Sequence, residues 1–148
     1  MVLKKIAALL VLLFGCGVPP EGYTLETALG VYVFDDVAQG PMSFTKKDFG
    51  AEEGRLWSII GQKSAEYAQG VEVHVKTEAD FHGHWPDANG ISFLERNQSY
   101  IWDTGCLALS AYAHELYHQV QWKRFGRKDA KHEDVLWAQV DGLLRVCK

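Results

Sequence analysis

The sequence predicts a single α+β domain, in which helices pack on one small mixed or antiparallel sheet. Its length of 148 residues suits one domain, and its 47% apolar content is that of a globular protein. Residues 71–77 alternate apolar and polar side chains with a period of two, which is typical of a half-buried strand. Two later segments, 105–126 and 129–146, have the composition and length of helices. The predicted order of strand, helix, three strands and two helices indicates one sheet with helices packed on it.

The elements before residue 71 are a short strand and a helix. Residues 30–34 are expected to form the strand. The helix is expected over 48–70, because Asp48 can cap its start, two glutamates suit its positive end and Gly70 can end it.

The strand at 71–77 is followed by a loop and a hairpin. Within the strand, three valines should face the core and the polar residues between them, including His74, should face outward. Residues 78–90 are rich in turn-forming residues and are expected to form a loop. Residues 91–95 and 98–103 flank an Arg-Asn pair and should form the two strands of a hairpin.

The charge of the chain argues against nucleic acid as its main partner. The formal net charge is −4, and no basic stripe interrupts the acidic balance. That balance favours solubility and does not indicate a substrate.

The first twenty residues have the layout of a secretory signal peptide. Lys4 and Lys5 precede an apolar run, residues 6–14, that is far shorter than the roughly 20 residues of a membrane-spanning helix. The letters "LFGC", which end at Cys16, resemble the lipobox of bacterial lipoproteins. An ordinary cleaved signal and a buried N-terminal helix are the alternatives.

The lipobox resemblance divides the chain into three parts. It implies that residues 1–15 are removed, that Cys16 is lipidated, and that a linker at 16–22 leads to a folded domain at 23–148. The protein would then be secreted and held by lipid on a membrane of the bacterial cell envelope.

Lipidation of Cys16 would leave two cysteines for a disulfide. Cys106 and Cys147 would lie in an oxidising compartment, where cysteines commonly pair. Both fall on predicted helices that should lie side by side, which favours a disulfide over two separate buried thiols.

The predicted helix at 105–126 carries two histidines four residues apart. Residues at this spacing differ by about 40° in direction, so His114 and His118 project from one face and can hold one metal ion. Glu115 points about 100° further round, where it can reach a water on the metal. This is the physical logic of the His-Glu-x-x-His motif, which places two zinc ligands and a general base on one helical turn.

A catalytic zinc site needs a third protein ligand, and His132 is the best candidate. It follows the turn at Gly126 and shares the inward face of the last predicted helix with apolar residues such as Val140. Glu133 is the second candidate, but it points about 100° away from that face. The alternative for His132 is a solvent-exposed residue at the start of a helix.

Two further sets of residues could support or extend this site. Asp103, Asp134 and Asp141 are candidates for the acceptors that fix the imidazole tautomers. His82 and His84 lie two apart on the predicted loop, where a second metal site and a pair of surface histidines are both open interpretations.

The segments "HELYH" at 114–118 and "HEDVLW" at 132–137 resemble the zincin metallopeptidases, and in layout they are closest to the small SprT-like and WLM-type zincins. The resemblance implies a zincin-like fold with an HExxH active-site helix and one zinc ion. It also implies that an edge strand, at 91–95 or 98–102, lies beside the cleft so that an extended peptide can pair with it.

The same resemblance implies a zinc metallopeptidase that hydrolyses peptide bonds in the cell envelope. Glu115 would be the general base, taking a proton from the zinc-activated water and passing it to the leaving amine. The substrate would be a peptide or protein, with a peptidoglycan stem peptide as one candidate. A non-catalytic zinc-binding envelope lipoprotein, structural or partner-binding, is the alternative, and the presence of Glu115 favours the enzyme.

Overall fold

The described part of the chain is an α+β domain, as the sequence predicts, and it has a five-stranded mixed sheet and four α-helices, one strand and one α-helix more than expected. The computed structural model describes residues 18–37, 40–129 and 131–144. The strands are β1 (Leu25–Glu26), β2 (Tyr32–Asp35), β3 (Glu72–Lys76), β4 (Ile91–Phe93) and β5 (Gln98–Trp102). The helices are α1 (Lys46–Ile60), α2 (Glu78–His84), α3 (Gly105–Phe125) and α4 (Trp137–Leu144). Short 3-10 helices lie at Gln62–Ala68 and Leu94–Arg96.

The sheet has a parallel centre and antiparallel edges. Its strand order is β1-β2-β3-β5-β4, and β2, β3 and β5 run parallel to one another. β1 pairs antiparallel with β2, and β4 pairs antiparallel with β5 as the predicted hairpin. The turn of that hairpin places Asn97 in the left-handed region at φ 58°. Because β4 is last in the strand order, it is an edge strand of the described sheet.

The core lies between the sheet and the helices α1, α3 and α4. Val71, Val73 and Val75 are buried in it, which confirms the alternation seen in the sequence. The helices contribute Phe49, Leu56, Tyr112, Leu116, Trp137 and Val140. Burial of a large apolar side chain contributes about 1.5–3 kcal/mol, so this cluster fixes α3 against the sheet.

The opposite face of the sheet is partly covered by α2. Phe81 of α2 is the centre of a second, smaller apolar cluster. His74 faces this side, as expected, but it is not a free surface residue. Its ring stacks between those of Phe34 and Tyr100, with centroids 4.6 and 4.8 Å away. Its Nδ1 lies 2.9 Å from Asp36 Oδ2.

The helix predicted over 48–70 is two separate elements. Thr45 is the N-cap of α1, because its Oγ1 accepts the Asp48 N–H while the Asp48 carboxylate accepts the Thr45 N–H. The prediction of Asp48 as the cap is therefore wrong by three residues. α1 ends at Gly61, whose φ of 82° a glycine adopts without strain, and Gln62–Ala68 continues as a 3-10 helix.

The predicted loop at 78–90 is also wrong in part, because it contains α2. Thr77 caps this helix by accepting the Asp80 N–H at 3.1 Å. The turn-forming residues Pro86, Asp87, Asn89 and Gly90 follow the helix, after Trp85. A threonine followed three residues later by an acidic residue was the signal for this helix.

The last helix begins later than the sequence indicates. Asp129 does not cap it, since α4 begins at Trp137. The Asp129 carboxylate instead accepts the N–H groups of Glu133 and Asp134 at 2.9 and 3.0 Å and therefore closes a turn. His132 lies in this turn, at φ 55°, so the prediction that it lies on a helix is wrong.

Several predictions fall on residues outside the described ranges. The signal peptide at 1–15 and the lipidation of Cys16 are among them, and they stay predictions. Cys106 is disulfide-bonded, but Cys147 lies outside the described residues, so their pairing also stays a prediction. None of the helices in the described ranges is both long enough and apolar enough to cross a membrane.

Candidate metal centre

Three imidazoles meet beside the middle of α3. His114 and His118 lie on successive turns of α3, and His132 reaches them from the turn between α3 and α4. One ligand atom of each residue lies within 4.8 Å of the other two. The Nε2 atoms of His118 and His132 are 3.3 Å apart. The structure therefore brings together the three histidines that the sequence singled out.

Trp137 packs against all three imidazoles. Its ring stacks on His132, with centroids 3.9 Å apart and planes 13° apart. It also lies 4.9 Å from the His114 ring and 4.5 Å from the His118 ring. The side chain is buried, and its Nε1–H donates to Asp129 at 2.8 Å. One indole thus holds the turn and the three rings together, which its sequence position alone did not reveal.

Asp141 of α4 lies against two of the three rings. Its Oδ1 is 3.1 Å from His114 Nδ1, without the alignment of a hydrogen bond, and its Oδ2 is 3.3 Å from His132 Nδ1. A carboxylate at Nδ1 favours the proton there and leaves the Nε2 lone pair free for a ligand bond. Asp103 and Asp134, the other two candidates, make different contacts.

The donor set suits zinc. Zinc–nitrogen bonds of about 2.0–2.1 Å in a tetrahedron place neighbouring donors roughly 3.3–3.4 Å apart. The distance of 3.3 Å between the His118 and His132 nitrogens matches this spacing. Three imidazoles and one open position form the coordination pattern of many catalytic zinc sites. Among the described residues, this is the one group of three or more His, Cys, Asp or Glu side chains whose ligand atoms lie within 4.8 Å of one another.

Burial keeps two of these imidazoles neutral. It lowers the pKa of His114 to about 4, with a further decrease from His132 and an opposing effect of Asp141. It lowers the pKa of His118 to about 3, and the two neighbouring histidines act in the same direction. Because a metal binds the unprotonated nitrogen, both rings are ready to bind one at neutral pH.

Glu115 lies between the imidazoles and the edge strand β4. Its Oε1 is 4.0 Å from His114 Nε2, and its Oε2 accepts the Ser92 hydroxyl at 2.7 Å. Burial raises the pKa of this carboxyl to about 7, and the hydrogen bond from Ser92 acts in the opposite direction. A carboxyl with a pKa near neutrality can both accept and return a proton.

The chain at Gly90 touches the Glu115 side chain. A Cβ at this position would lie 2.7 Å from both Cγ and Oε1 of Glu115, so a side chain there would require the Glu115 side chain to shift. Glycine therefore lets the segment before β4 approach the carboxylate. Neither Gly90 nor Ser92 was identified from the sequence, because a glycine and a serine near a turn have many ordinary explanations.

Two cavities adjoin Glu115. One has a volume of about 290 Å³ and is also lined by Leu94 and Lys128. The other has a volume of about 410 Å³ and is also lined by His132 and Asp141. β4 borders this cleft and is an edge strand, whereas β5 lies inside the sheet. Of the two predicted edge segments, 91–95 is therefore the one beside the cleft.

The remaining candidates do not join this group. Glu133, the second candidate for the third ligand, is exposed to solvent. His84 Nδ1 lies 2.9 Å from the Asp80 backbone oxygen, and the His82 ring packs on Trp102. Both histidines belong to α2, and the structure does not gather them into a metal-binding group.

The chain matches no family model, no curated protein and no solved structure. The geometry of the site therefore carries the functional argument, and the resemblance to the zincins remains one of motif and layout.

Proposed function

We propose that the protein is a zinc-dependent peptidase, with His114, His118 and His132 as metal ligands and Glu115 as general base. The observation that carries this proposal is the convergence of three imidazoles beside a buried carboxyl whose pKa is raised to about 7. Titratable groups with shifted pKa values that meet in a cleft are typical of catalytic sites.

The residues of the site divide the work of peptide hydrolysis. Zinc bound there would polarise a scissile carbonyl and lower the pKa of a water in its open position. The imidazoles fix where this chemistry takes place, and Asp141 orients two of them. Glu115 accepts a proton at Oε1, the oxygen that lies 4.0 Å from His114 Nε2, and returns it to the leaving amine.

The cleft suits an extended peptide. β4 is an edge strand, and such an edge can pair with an added strand through backbone hydrogen bonds. A peptide on β4 would pass Ser92, whose hydroxyl contacts Glu115. We place the substrates in the cell envelope, as protein chains or peptidoglycan stem peptides, because residues 1–15 and Cys16 resemble a lipoprotein signal.

A non-catalytic zinc-binding module is the less favoured alternative. A structural zinc site has four protein ligands and no base, whereas the described residues offer three donors here. Keeping an ionisable carboxyl buried beside them costs folding free energy. A catalytic role for Glu115 explains that cost, and a structural site does not.

Zinc binding and peptide hydrolysis by three variants test this proposal. The purified protein should bind about one zinc ion, and His132→Ala should abolish tight binding. Glu115→Gln should keep zinc but hydrolyse labelled casein about 10²–10⁴-fold more slowly, because it cannot accept the proton. Glu133→Gln is the matched control, since Glu133 also directly follows a proposed histidine ligand but is exposed.

Two results would contradict the proposal. Unchanged zinc affinity in His132→Ala would show that His132 is not the third ligand. Equal rates of hydrolysis by Glu115→Gln and the wild type would show that Glu115 is not the general base. Cleavage profiling of a cell-envelope extract with the same pair of proteins would identify the substrates.

A further inference from the structure

We propose that Ser92 is the positioning residue for Glu115, because its hydroxyl binds Oε2 and leaves Oε1 facing the three histidines. This inference rests on the proposed function, in which Glu115 is the base. It is supported by a chain of hydrogen bonds that joins α3 to the two strands of the hairpin.

Ser92 is the central residue of β4, and its side chain points toward α3. Its Oγ lies 2.7 Å from Glu115 Oε2 and 3.2 Å from the Glu115 backbone oxygen. On the neighbouring strand, Ser99 is its register partner, and the two hydroxyl oxygens are 2.9 Å apart. The shorter of the two contacts with Glu115 makes the carboxylate the main acceptor of the Ser92 proton.

The chain of hydrogen bonds that ends at the Glu115 carboxylate begins at Gln119. Its side-chain N–H groups donate to the Gln98 backbone oxygen at 2.9 Å and to Ser99 Oγ at 3.2 Å. Ser99 accepts this bond and has its own proton free to donate to Ser92. Ser92 then donates to Glu115. The opposite direction would leave the buried Oε2 without this donor, which is costly in free energy.

Gly90 confines the same carboxylate from a second side. A Cβ at position 90 would lie 2.7 Å from Oε1, so the chain passes directly beside this oxygen. Gly90 lies directly before β4, two residues ahead of Ser92. With Ser92 at Oε2 and Gly90 beside the carboxylate, Oε1 is the oxygen near His114.

Cobalt substitution tests this role without depending on turnover. The visible spectrum of bound Co²⁺ responds to groups around its coordination sphere. Ser92→Ala should bind Co²⁺ as tightly as the wild type, while its spectrum should shift toward that of Glu115→Gln. Ser92→Thr keeps the hydroxyl and should retain the wild-type spectrum. Ser58→Ala, at an exposed serine of α1, is the matched control and should change nothing.

Turnover of labelled casein gives a second readout. Ser92→Ala should lower kcat about 10–100-fold with little change in KM, because a hydrogen bond to a charged group is lost while the peptide-binding edge remains. Ser92→Thr should restore kcat. Ser99→Ala should give a smaller loss, because it removes the donor to Ser92 but keeps the bond from Ser92 to Glu115. If the added methyl group of Ser92→Thr prevents folding, Ser99→Ala serves as the second variant.

The outcomes separate this inference from the proposed function. If Ser92→Ala binds Co²⁺ with the wild-type spectrum and keeps the wild-type kcat, the positioning role is overturned and the metal site stands. If the wild type binds no Co²⁺, the proposed function is overturned, and the role of Ser92 falls with it.

Discussion

Asp141 lies against two of the three imidazoles at the proposed metal centre. Its two oxygens lie 3.1 Å from His114 Nδ1 and 3.3 Å from His132 Nδ1. An asparagine has one acceptor oxygen and therefore cannot serve both rings in the same way. The geometry of two ligands thus depends on one carboxylate.

Replacing Asp141 by asparagine should weaken zinc binding about 10–100-fold, because partners of this kind orient metal ligands and raise their basicity. Competition with a chelator of known zinc affinity would measure the change. Asp103→Asn is the matched control, since Asp103 was a candidate from the sequence but is not in contact with the three rings. Equal affinity in the two variants would remove the role of Asp141.

Residues of the site were predictable where local spacing determines their direction. His114 and His118 follow from the helical period alone. Ser92 and Gly90 contact Glu115 from more than 20 residues away along the chain. Asp141 was one of three candidate acceptors, and its contact with His114 in the folded chain distinguishes it from the other two. Spacing within one element carries no information about such contacts.

The position of His132, in the turn between α3 and α4, was predicted correctly for an incorrect reason. His132 was expected near the other histidines because it would share a helical face with Val140. It reaches them instead from a turn that the Asp129 carboxylate closes with two backbone N–H groups. An aspartate side chain can cap a helix or close a turn, and local sequence does not decide between the two.

Helices α1 and α3 are joined by a buried polar contact as well as by apolar packing. The Tyr112 hydroxyl donates to Glu53 Oε1 at 2.6 Å, and both residues are buried. Burial raises the pKa of the Glu53 carboxyl, against the effect of its hydrogen bonds from Thr27 and Tyr112. The folded protein therefore binds the proton of the Glu53 carboxyl more tightly than the unfolded chain does.

The sign of this shift predicts how Glu53→Gln changes stability with pH. Wild-type stability should fall as the pH rises above 4.5, the ordinary glutamate pKa, and level off above the folded pKa. The variant lacks this titration. Its free energy of unfolding should therefore gain on that of the wild type, by about 1.4 kcal/mol for each pH unit between the two pKa values.

Urea unfolding between pH 4 and pH 8 would measure this difference. Glu66→Gln replaces an exposed glutamate and is the matched control. A stability difference between Glu53→Gln and wild type that is constant over this range would contradict the buried titration.

At the scale of the whole molecule, the proposed metal centre joins α3 to the turn that precedes α4, two parts of the chain that also share the apolar core. Two of the proposed ligands belong to α3, and the third belongs to the turn that precedes α4. A metal that binds the folded state alone stabilises it according to its concentration. Zinc bound at the proposed site would therefore stabilise the packing of this turn against α3.

Zinc should raise the melting temperature of the protein. At a free concentration of 100 times Kd it should add about 2.7 kcal/mol, which corresponds to roughly 5–10 °C for a domain of this size. Calorimetry with zinc and with excess chelator would measure the shift. His132→Ala should melt at the same temperature in both conditions, and a shift of wild-type size in that variant would contradict the third ligand.

The fold class followed from the order of elements, while the sheet topology did not. Period-two alternation and the hairpin turn placed β3, β4 and β5 close to their observed positions. The sequence did not indicate that β5 lies between β3 and β4, because pairing between distant strands depends on packing against α1 and α3. The edge position of β4 depends on that order, and so does the exposure of the cleft.

The same order sets β1 and β4 at opposite margins of the sheet. Four strand-to-strand steps of about 4.8 Å separate them, so the two margins are roughly 19 Å apart. Residues 18–24 lead into β1, and the chain thus enters the domain on the margin farthest from Glu115. A lipid or a fusion partner joined ahead of β1 would therefore lie away from β4. The cleft beside β4 would stay open to a long peptide.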